Sequence, residues 1–136
     1  MTEKIWDPLR KKYVASTPEE DVRQWFISQM KEGMQIPLHM MMSEVGLTLG
    51  KKKFRADIIV YDRSLNPLMI VECKKSDITL DQKVIDQTVT YNLILDVKYI
   101  VITNGRQTYI LKKSSSKERS YEFLQTCPTY LQMLEE

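Results

Sequence analysis

Histidine and cysteine are scarce in this chain, and their scarcity disfavours several kinds of site. The single histidine, His39, comes shortly after Pro37 and is expected in a turn or at the surface. His-rich metal centres and histidine-dependent acid-base or nucleophilic schemes are therefore disfavoured. Cys73 and Cys127 are far apart and belong to no C-x-x-C or Cys/His pattern, so neither a disulfide nor a zinc site is expected. Any chemistry must come from carboxylates and lysines.

Long hydrophobic segments are also missing. No stretch approaches the roughly 18 to 20 apolar residues that a membrane-spanning helix needs, and the N-terminal sequence MTEKIWDPLRKKYV lacks the apolar region of a secretory signal. The composition, 43% hydrophobic and 28% charged, is that of a globular protein. We expect one cytoplasmic domain over residues 1–136, without membrane association.

The net charge is only +2, so the overall field does not by itself indicate a polyanionic partner. Basic residues nevertheless form local clusters along the chain: Arg10 to Lys12, Lys51 to Lys53 with Arg55, Lys74 with Lys75, and Lys112 with Lys113. Each cluster alone is typical of a solvated turn. Several of them on one face would form a phosphate-binding surface, and the sequence leaves this open.

The first half of the chain contains one strong helix signal. Thr17 is a suitable N-cap, Pro18 suits the first helical position, and Glu20 is placed to close a capping box. Gly33 is expected to end the helix. Apolar residues at helical spacing predict that this helix is amphipathic, and they are Val22, Trp25, Phe26 and Met30.

A β-hairpin is predicted next. Residues 54–61 and 68–74 are rich in β-formers, and the polar, turn-forming segment 62–67 separates them. An alternating strand at 44–49 and a turn at 50–53 precede this hairpin.

The second half of the chain predicts a helix over 80–95, a strand over 99–103, a turn at Asn104–Gly105 and a further strand at 107–111. The order strand, helix, strand implies a right-handed parallel crossover. We therefore expect an α/β fold of mixed α+β type, with a central mixed sheet flanked by helices. Two segments remain: 112–117, a polar loop or linker, and 121–134, which is left open as a strand, a helix or both.

The hairpin brings together two acids and a lysine. If it folds symmetrically about its turn, Asp57 lies opposite Glu72, and Lys74 shares the face of Glu72. Two carboxylates are a sufficient protein contribution to a Mg²⁺ site, because this cation keeps water and phosphate oxygens as its other ligands. The flanking residues are apolar, and uncompensated charges among them would be expensive. A cross-strand acid-base cluster is the alternative.

The helix that follows carries a second clue. Its predicted apolar stripe is interrupted by Gln87, and Tyr91 brings a hydroxyl to the same side one turn later. The members of this stripe are Leu80, Val84, Gln87, Tyr91 and Ile94. A hydrogen-bonded core glutamine beside an amphipathic tyrosine is the alternative to a site.

Together these residues resemble a known family. Asp57 with Arg55 two residues before it, Glu72-Cys73-Lys74 and Gln87-x-x-x-Tyr91 are similar to the N-terminal nuclease domain of the type I restriction enzyme R subunit, in the PD-(D/E)XK nuclease superfamily. The likeness covers about residues 17–111, including the helix opening at 17–24 and the strand and turn at 99–105.

The resemblance implies a restriction-endonuclease-like core and a Mg²⁺-dependent DNA endonuclease, for which Mn²⁺ is a substitute metal. Such a metal-dependent deoxyribonuclease is a hydrolase of the restriction-modification type. Asp57 and Glu72 would be metal ligands, and Lys74 would orient the attacking water and the phosphate. Gln87 and Tyr91 would position the site or contact DNA.

Members of this superfamily often take another metal ligand from the first helix, which points to Glu19 or Glu20, although Glu20 has the competing capping role. The expected partners are DNA and either a second copy of the chain or restriction-modification subunits. ATP is not expected, because the segment 46–52 has the wrong spacing for a phosphate loop and the chain ends at Glu136 without a helicase motor. The alternative function is a non-catalytic nucleic-acid-binding or interaction module.

Overall fold

The computed structural model describes residues 3–116 and 120–135, apart from the side chains of Leu49 and Ile94. Among the described residues, no helix is long and apolar enough to cross a membrane. The elements follow in the order β1 (Lys4–Asp7), β2 (Lys12–Ala15), α1 (Pro18–Glu32), β3 (Met41–Leu49), β4 (Lys52–Tyr61), β5 (Pro67–Cys73), α2 (Gln82–Asn92), β6 (Tyr99–Thr103), β7 (Thr108–Lys113), β8 (Tyr121–Phe123) and α3 (Tyr130–Leu134).

The central sheet has six strands in the order β3-β4-β5-β6-β7-β8. Strands β5 and β6 are parallel, and the other neighbouring pairs are antiparallel. The predicted mixed sheet with flanking helices is therefore confirmed. A separate two-stranded sheet, formed by β1 and β2, precedes α1 and was not predicted from the sequence.

Helices pack on both sides of this sheet. One side, here called the α1 face, packs against α1 and α3, and its buried residues on the central strands are Ile58, Val60, Met69, Val71 and Val101. The opposite side, the α2 face, packs against Ile85 of α2, and its buried residues on these strands are Ile59, Ile70, Ile100 and Ile102. Successive residues from Met69 on β5 and from Tyr99 on β6 alternate between two buried faces, so both strands consist of nearly continuous apolar runs.

Helix α1 begins and ends where the sequence predicts. The Thr17 hydroxyl accepts a hydrogen bond from the Glu20 backbone N–H at 3.1 Å, and Gly33 follows the last turn. The prediction that Glu20 closes a capping box is wrong, because its carboxylate accepts hydrogen bonds from Arg10 and Arg23 instead. Hydrogen bonds from guanidinium groups to a carboxylate are stronger than a bond to a backbone N–H.

The predicted hairpin is confirmed in its register. Ile58 pairs with Val71 and Ile59 with Ile70, as a symmetric turn requires. The turn itself is held by Asp62, whose carboxylate accepts from two backbone N–H groups within the loop.

The side-chain alternation of β4 breaks at Asp57. Ala56 packs in the cluster on the α2 face, whereas Ile58 packs on the α1 face, although residues two apart on a regular strand point to the same side. The neighbouring strand changes sides at the same level, where Glu44 has a left-handed backbone with φ of 52°. In both strands, the faces to which the side chains point are therefore exchanged beside Asp57.

Helix α2 is shorter than predicted and is rotated relative to the predicted stripe. It is capped by Asp81, ends at Asn92 and continues as a 3-10 turn, Leu93–Leu95. Its buried residues are Ile85, Thr88 and Asn92. The predicted stripe is thus wrong: Leu80 precedes the helix, Gln87 and Tyr91 are exposed, and the side chain of Ile94 lies outside the described part.

The last third of the chain contains more regular structure than predicted. Strand β6 has the predicted bounds, but β7 continues through Lys113, into the segment that was expected to be a loop. Lysines are poor indicators of strands, and here Lys112 pairs with Tyr99 in the ladder. Residue 117 of that loop lies outside the described part. The tail forms both a strand, β8, and a helix, α3.

Candidate active site

A cavity of about 300 Å³ lies between the end of β5 and the exposed side of α2. Its lining includes four of the five side chains predicted to be catalytic, namely Glu72, Lys74, Gln87 and Tyr91. Arg55, Val84 and Thr88 complete the wall. Side chains that are up to 36 residues apart in the sequence, from Arg55 to Tyr91, thus meet at one end of the sheet.

Glu72 is the carboxylate of this cavity. It lies two residues after Ile70 on β5, on the α2 face. Burial and, to a smaller extent, the charge of Asp57 raise the pKa of Glu72 to about 7, while Lys74 acts in the opposite direction. The anionic form of Glu72 is therefore only partly compensated by the protein, and a cation bound beside it would stabilise that form.

Asp57 approaches the site from the other side. Its Oδ1 accepts from Nη2 of Arg23 at 3.3 Å, and its Oδ2 accepts from the Cys73 backbone N–H at 2.7 Å. The paired residues of the hairpin run from Ile58 with Val71 to Tyr61 with Pro67, and Asp57 with Glu72 is not among these pairs. The predicted common face is not realised, because the side-chain alternation of β4 breaks at Asp57. The two acids remain electrostatically coupled, since Asp57 raises the pKa of Glu72.

Lys74 lies directly after β5. Its backbone N–H donates to the Thr103 carbonyl at 2.8 Å, which extends the parallel pairing of β5 with β6 by one bond. The side chain lines the cavity and lowers the pKa of Glu72. The lysine and the glutamate are therefore held on one wall by regular strand geometry, as predicted.

Gln87 and Tyr91 form the wall that belongs to α2. The Tyr91 hydroxyl accepts from the Arg55 backbone N–H at 3.2 Å, and its ring packs edge-on against Phe54 with centroids 5.1 Å apart. Gln87, one turn earlier, is exposed to the cavity. The alternative of a buried core glutamine is wrong, since the buried polar residues of this helix are Thr88 and Asn92.

The two glutamates of the first helix differ in their surroundings. Glu20 is buried, and its carboxylate accepts from Arg10 at 2.5 Å and from Arg23 at 3.1 Å. Glu19 instead raises the pKa of Glu72 through its charge. Of the two, Glu19 is the acid whose charge acts on the cavity.

A buried ionic network holds the α1 side of the site, and sequence reasoning missed it. Its centre is Arg23, whose side chain is 6% exposed and donates to Glu20, Glu44 and Asp57. Its members, here called the arginine network, are Asp7, Arg10, Glu20, Arg23, Glu44 and Asp57. The available signal was an arginine between apolar positions on the buried side of a predicted amphipathic helix.

The donor set of the site is compatible with a hard divalent cation. The described residues contain no group of three or more histidine, cysteine or acidic side chains arranged around a metal position. Mg²⁺ is commonly held by one or two carboxylates together with waters and substrate phosphate oxygens, and Asp57 and Glu72 supply such carboxylates. Both cysteines are free, as expected, with Cys73 buried and Cys127 exposed.

Comparison with solved structures supports the same fold. A fragment of a candidate HsdR subunit of a type I restriction enzyme from Vibrio vulnificus YJ016 matches 88% of this chain with a TM-score of 0.62 and 20% identity. This chain spans 25% of that protein. A candidate nuclease of the DUF820 group from Anabaena variabilis ATCC 29413 matches 92% of this chain and 87% of its own, with a TM-score of 0.53 and 11% identity.

None of the curated proteins matches the chain. The model of one protein family does, and it covers residues 18–128, from the first residue of α1 to two residues before α3. That range contains β3 to β8 and the whole cavity, so the match extends over the site and the sheet that carries it. The chain belongs to the family described as the N terminus of the type I restriction enzyme R protein.

Proposed function

We propose that this chain is a Mg²⁺-dependent DNA endonuclease module that hydrolyses phosphodiester bonds. The observation that carries the proposal is the single cavity in which Glu72, Lys74 and Gln87 meet, with the charge of Asp57 at its edge. The raised pKa of Glu72 means that its anionic form is poorly stabilised by the protein. A cation that also binds phosphate oxygens would stabilise this form.

Asp57 and Glu72 would hold the metal, with Glu19 as the additional acid from α1. When bound, a hard divalent cation supplies positive charge that stabilises the charge developing on the phosphate oxygens. Asp57 is suited to this role because Arg23 and the Cys73 N–H fix its carboxylate from two sides. A ligand held in this way loses little freedom when it coordinates.

The lysine and the α2 residues would act on the substrate itself. The Lys74 ammonium adds positive charge beside Glu72 and would orient the phosphate and the attacking water. Gln87 presents an exposed amide to the same space, and Tyr91 is fixed by its bond to the Arg55 backbone. These two side chains would position the DNA strand.

One observation favours a second candidate function, a non-catalytic nucleic-acid-binding or interaction module. Both carboxylate oxygens of Asp57 already accept hydrogen bonds from the protein, one of them from the buried Arg23. A site that has lost its metal would keep such an arrangement as a purely structural one.

Cleavage assays separate these functions. Purified protein is incubated with supercoiled, linear and single-stranded DNA in Mg²⁺, Mn²⁺ or EDTA. Lys74→Ala is expected to lower the rate about 100-fold or more, as loss of a group that stabilises transition-state charge does. Lys75→Ala is the matched control, because this neighbouring lysine is exposed and does not line the cavity. Cleavage retained in Lys74→Ala would contradict the proposed mechanism.

Thermal melting tests the metal independently of turnover. A ligand that binds only the folded state stabilises it by about 2.7 kcal/mol at 100 times its dissociation constant. Mg²⁺ or Mn²⁺ should therefore raise the Tm, and Asp57→Asn should remove this increase. The absence of a shift in the unmodified protein would favour the non-catalytic module. Cleavage of both strands of a duplex usually needs two sites, so a second copy or restriction-modification subunits are proposed as partners.

A further inference from the structure

A second and larger cavity adjoins the candidate site along α2. It has a volume of about 690 Å³, and its lining consists of Lys52, Phe54, Lys83, Asp86, Gln87, Thr90 and Tyr91. It shares Gln87 and Tyr91 with the cavity of Glu72 and Lys74. This space, here called the flanking groove, therefore continues directly from the position proposed for the reacting phosphate.

The flanking groove has a fixed aromatic surface. Phe54 is 3% exposed and supports the ring of Tyr91, which is itself 43% exposed. The Tyr91 hydroxyl is also tied to the Arg55 backbone N–H. An exposed aromatic ring that is held by both packing and a hydrogen bond is a stacking platform for a planar ligand.

Two lysines border this aromatic surface. The Lys52 Nζ lies 5.9 Å from the centroid of the Phe54 ring, and Lys83 lines the groove from the first turn of α2. The groove also contains Asp86, whose carboxylate accepts from Gln82 at 2.8 Å. Aromatic surface with cations beside it is the chemistry that recognises a nucleotide, with the base on the ring and phosphates on the lysines.

We propose that the flanking groove holds one unpaired nucleotide next to the scissile phosphate, with its base against Tyr91 and its phosphates near Lys52 and Lys83. The bases of an intact duplex are stacked inside the helix and cannot reach this ring without leaving the stack. The substrate class is therefore single-stranded DNA or DNA that is unpaired at the cleavage point. This inference rests on the proposed function for the position of the scissile phosphate.

The test measures binding without cleavage. The full chain is titrated in EDTA with three fluorescent oligonucleotides: a single strand, the matched duplex, and a duplex with a single-stranded flap. The single strand and the flap should bind at least about fivefold more tightly than the duplex, because one stacked base is worth about 5- to 150-fold in affinity. Equal affinity for the intact duplex would overturn the proposal.

Charge variants then locate the contact. Lys52→Ala and Lys83→Ala should each reduce the dependence of log affinity on log salt concentration by about 0.7, the value for one phosphate contact of a single strand. Lys31→Ala is the control, because this exposed lysine of α1 lines neither cavity. If Lys52→Ala and Lys83→Ala behave like Lys31→Ala, the groove is not the binding surface.

The ring is tested by a pair of substitutions. Tyr91→Leu should lose the preference for unpaired DNA, whereas Tyr91→Phe should keep it, and circular dichroism reports whether each variant is folded. Loss of the preference in a folded Tyr91→Phe would overturn base stacking as its cause.

Failure of this inference is distinguishable from failure of the nuclease proposal. Binding of unpaired DNA that depends on Lys52 and Lys83, without any cleavage in metal, supports the groove and contradicts the nuclease. Cleavage of intact duplex that is unaffected by both substitutions supports the nuclease and contradicts the groove.

Discussion

The two faces of the sheet differ in how their acidic side chains are paired at the candidate site. On the α1 face, acids meet arginines in the arginine network, whose centre, Arg23, is buried. On the α2 face, Glu72 has Lys74 beside it, and the cavity around it is open to solvent. In the first arrangement each acid has an arginine partner, although the Arg23 Nε is buried without a hydrogen-bond partner among the described residues. In the second, the charge of Glu72 is only partly compensated by Lys74.

The pKa shifts of two glutamates express this difference. Burial opposes ionisation of Glu44, but the charges of Arg23 and Arg10 outweigh it and lower the pKa of this acid. Burial also opposes ionisation of Glu72, and there the charge of Asp57 adds to it, so the pKa rises to about 7. The α1 face therefore serves as the scaffold that fixes Asp57, and the α2 face is where a cation and a substrate would bind.

The largest expected effect comes from removing the centre of the scaffold. Arg23→Met keeps most of the side-chain volume but leaves Glu20, Glu44 and Asp57 without their shared partner. Breaking a buried ion pair on one side typically lowers the free energy of unfolding by about 3 to 5 kcal/mol. Urea denaturation measures this loss.

Lys31→Ala is the control for Arg23→Met, because its exposed pair with Glu32 lies on the same helix. Its expected change lies within about 0.5 kcal/mol. A loss below about 1 kcal/mol for Arg23→Met would mean that the network does not stabilise the α1 face and that the contrast between the faces is wrong.

The sequence predicts the α2 face of the site better than the α1 face. Glu72 and Lys74 follow from the hairpin register alone, because a symmetric turn and strict alternation determine where each side chain points. The break in side-chain alternation at Asp57 does not follow from the hairpin register. It occurs beside Glu44, which has a left-handed backbone, and beside Arg23, which lies 34 residues earlier in the chain. Long-range ion pairs of this kind leave no local pattern.

The secondary structure shows the same division. The strand Tyr99–Thr103 and the start of α1 are predicted at their observed bounds, since apolar runs and capping residues are local signals. The hairpin of β1 and β2 was missed, because its short strands are mostly exposed. It is held by contacts distant in sequence, namely the pairing of Asp7 and Arg10 with the arginine network and the packing of Leu9 on the α1 face. The buried side of α2 was misjudged, because its core positions include the polar Thr88 and Asn92.

The second-largest expected effect is the contribution of Glu72 to the pH dependence of stability in metal-free buffer. The folded-state pKa of Glu72 lies near 7, above its ordinary value of 4.5, so between these pH values the folded protein binds a proton that the unfolded chain has lost. Stability therefore falls as the pH rises through this range and is flat above it. Glu72→Gln removes the dependence, and the variant should be more stable than the original protein at pH 8 by up to roughly 3 kcal/mol.

Urea denaturation in EDTA at pH 4.5 and pH 8 measures this effect of Glu72→Gln. The two proteins should be similar at pH 4.5, where the carboxyl group is protonated in the folded state. A variant that is less stable than the original protein at pH 8 would contradict an uncompensated Glu72. Addition of Mg²⁺ should reverse the order, because only the original protein keeps the carboxylate.

A third effect compares neighbouring acids that face the two regions. Glu20→Gln removes a carboxylate that accepts from Arg10 and Arg23, and it should lower the free energy of unfolding by about 1 to 3 kcal/mol. Glu19→Gln should change stability by less than about 0.5 kcal/mol. It should instead raise the Mg²⁺ concentration needed for half-maximal stabilisation, by about tenfold or more. The opposite assignment, with Glu20→Gln affecting metal and Glu19→Gln affecting stability, would exchange the roles proposed for them.

The smallest expected effect concerns Arg55, which touches both regions. Its guanidinium pairs with Glu44 of the arginine network at 3.0 Å, its side chain is 71% exposed, and its backbone N–H holds Tyr91 at the cavity. Exposed ion pairs contribute about 0 to 1 kcal/mol, so Arg55→Ala should be nearly neutral in urea denaturation. The backbone donor remains in this variant, and Tyr91 should keep its place. A double-mutant cycle with Arg23→Met measures the coupling through Glu44. A coupling of about 0.5 kcal/mol or more is expected, because Arg55 and Arg23 share Glu44, whereas a value near zero would show that the Arg55 pair is energetically separate from the arginine network.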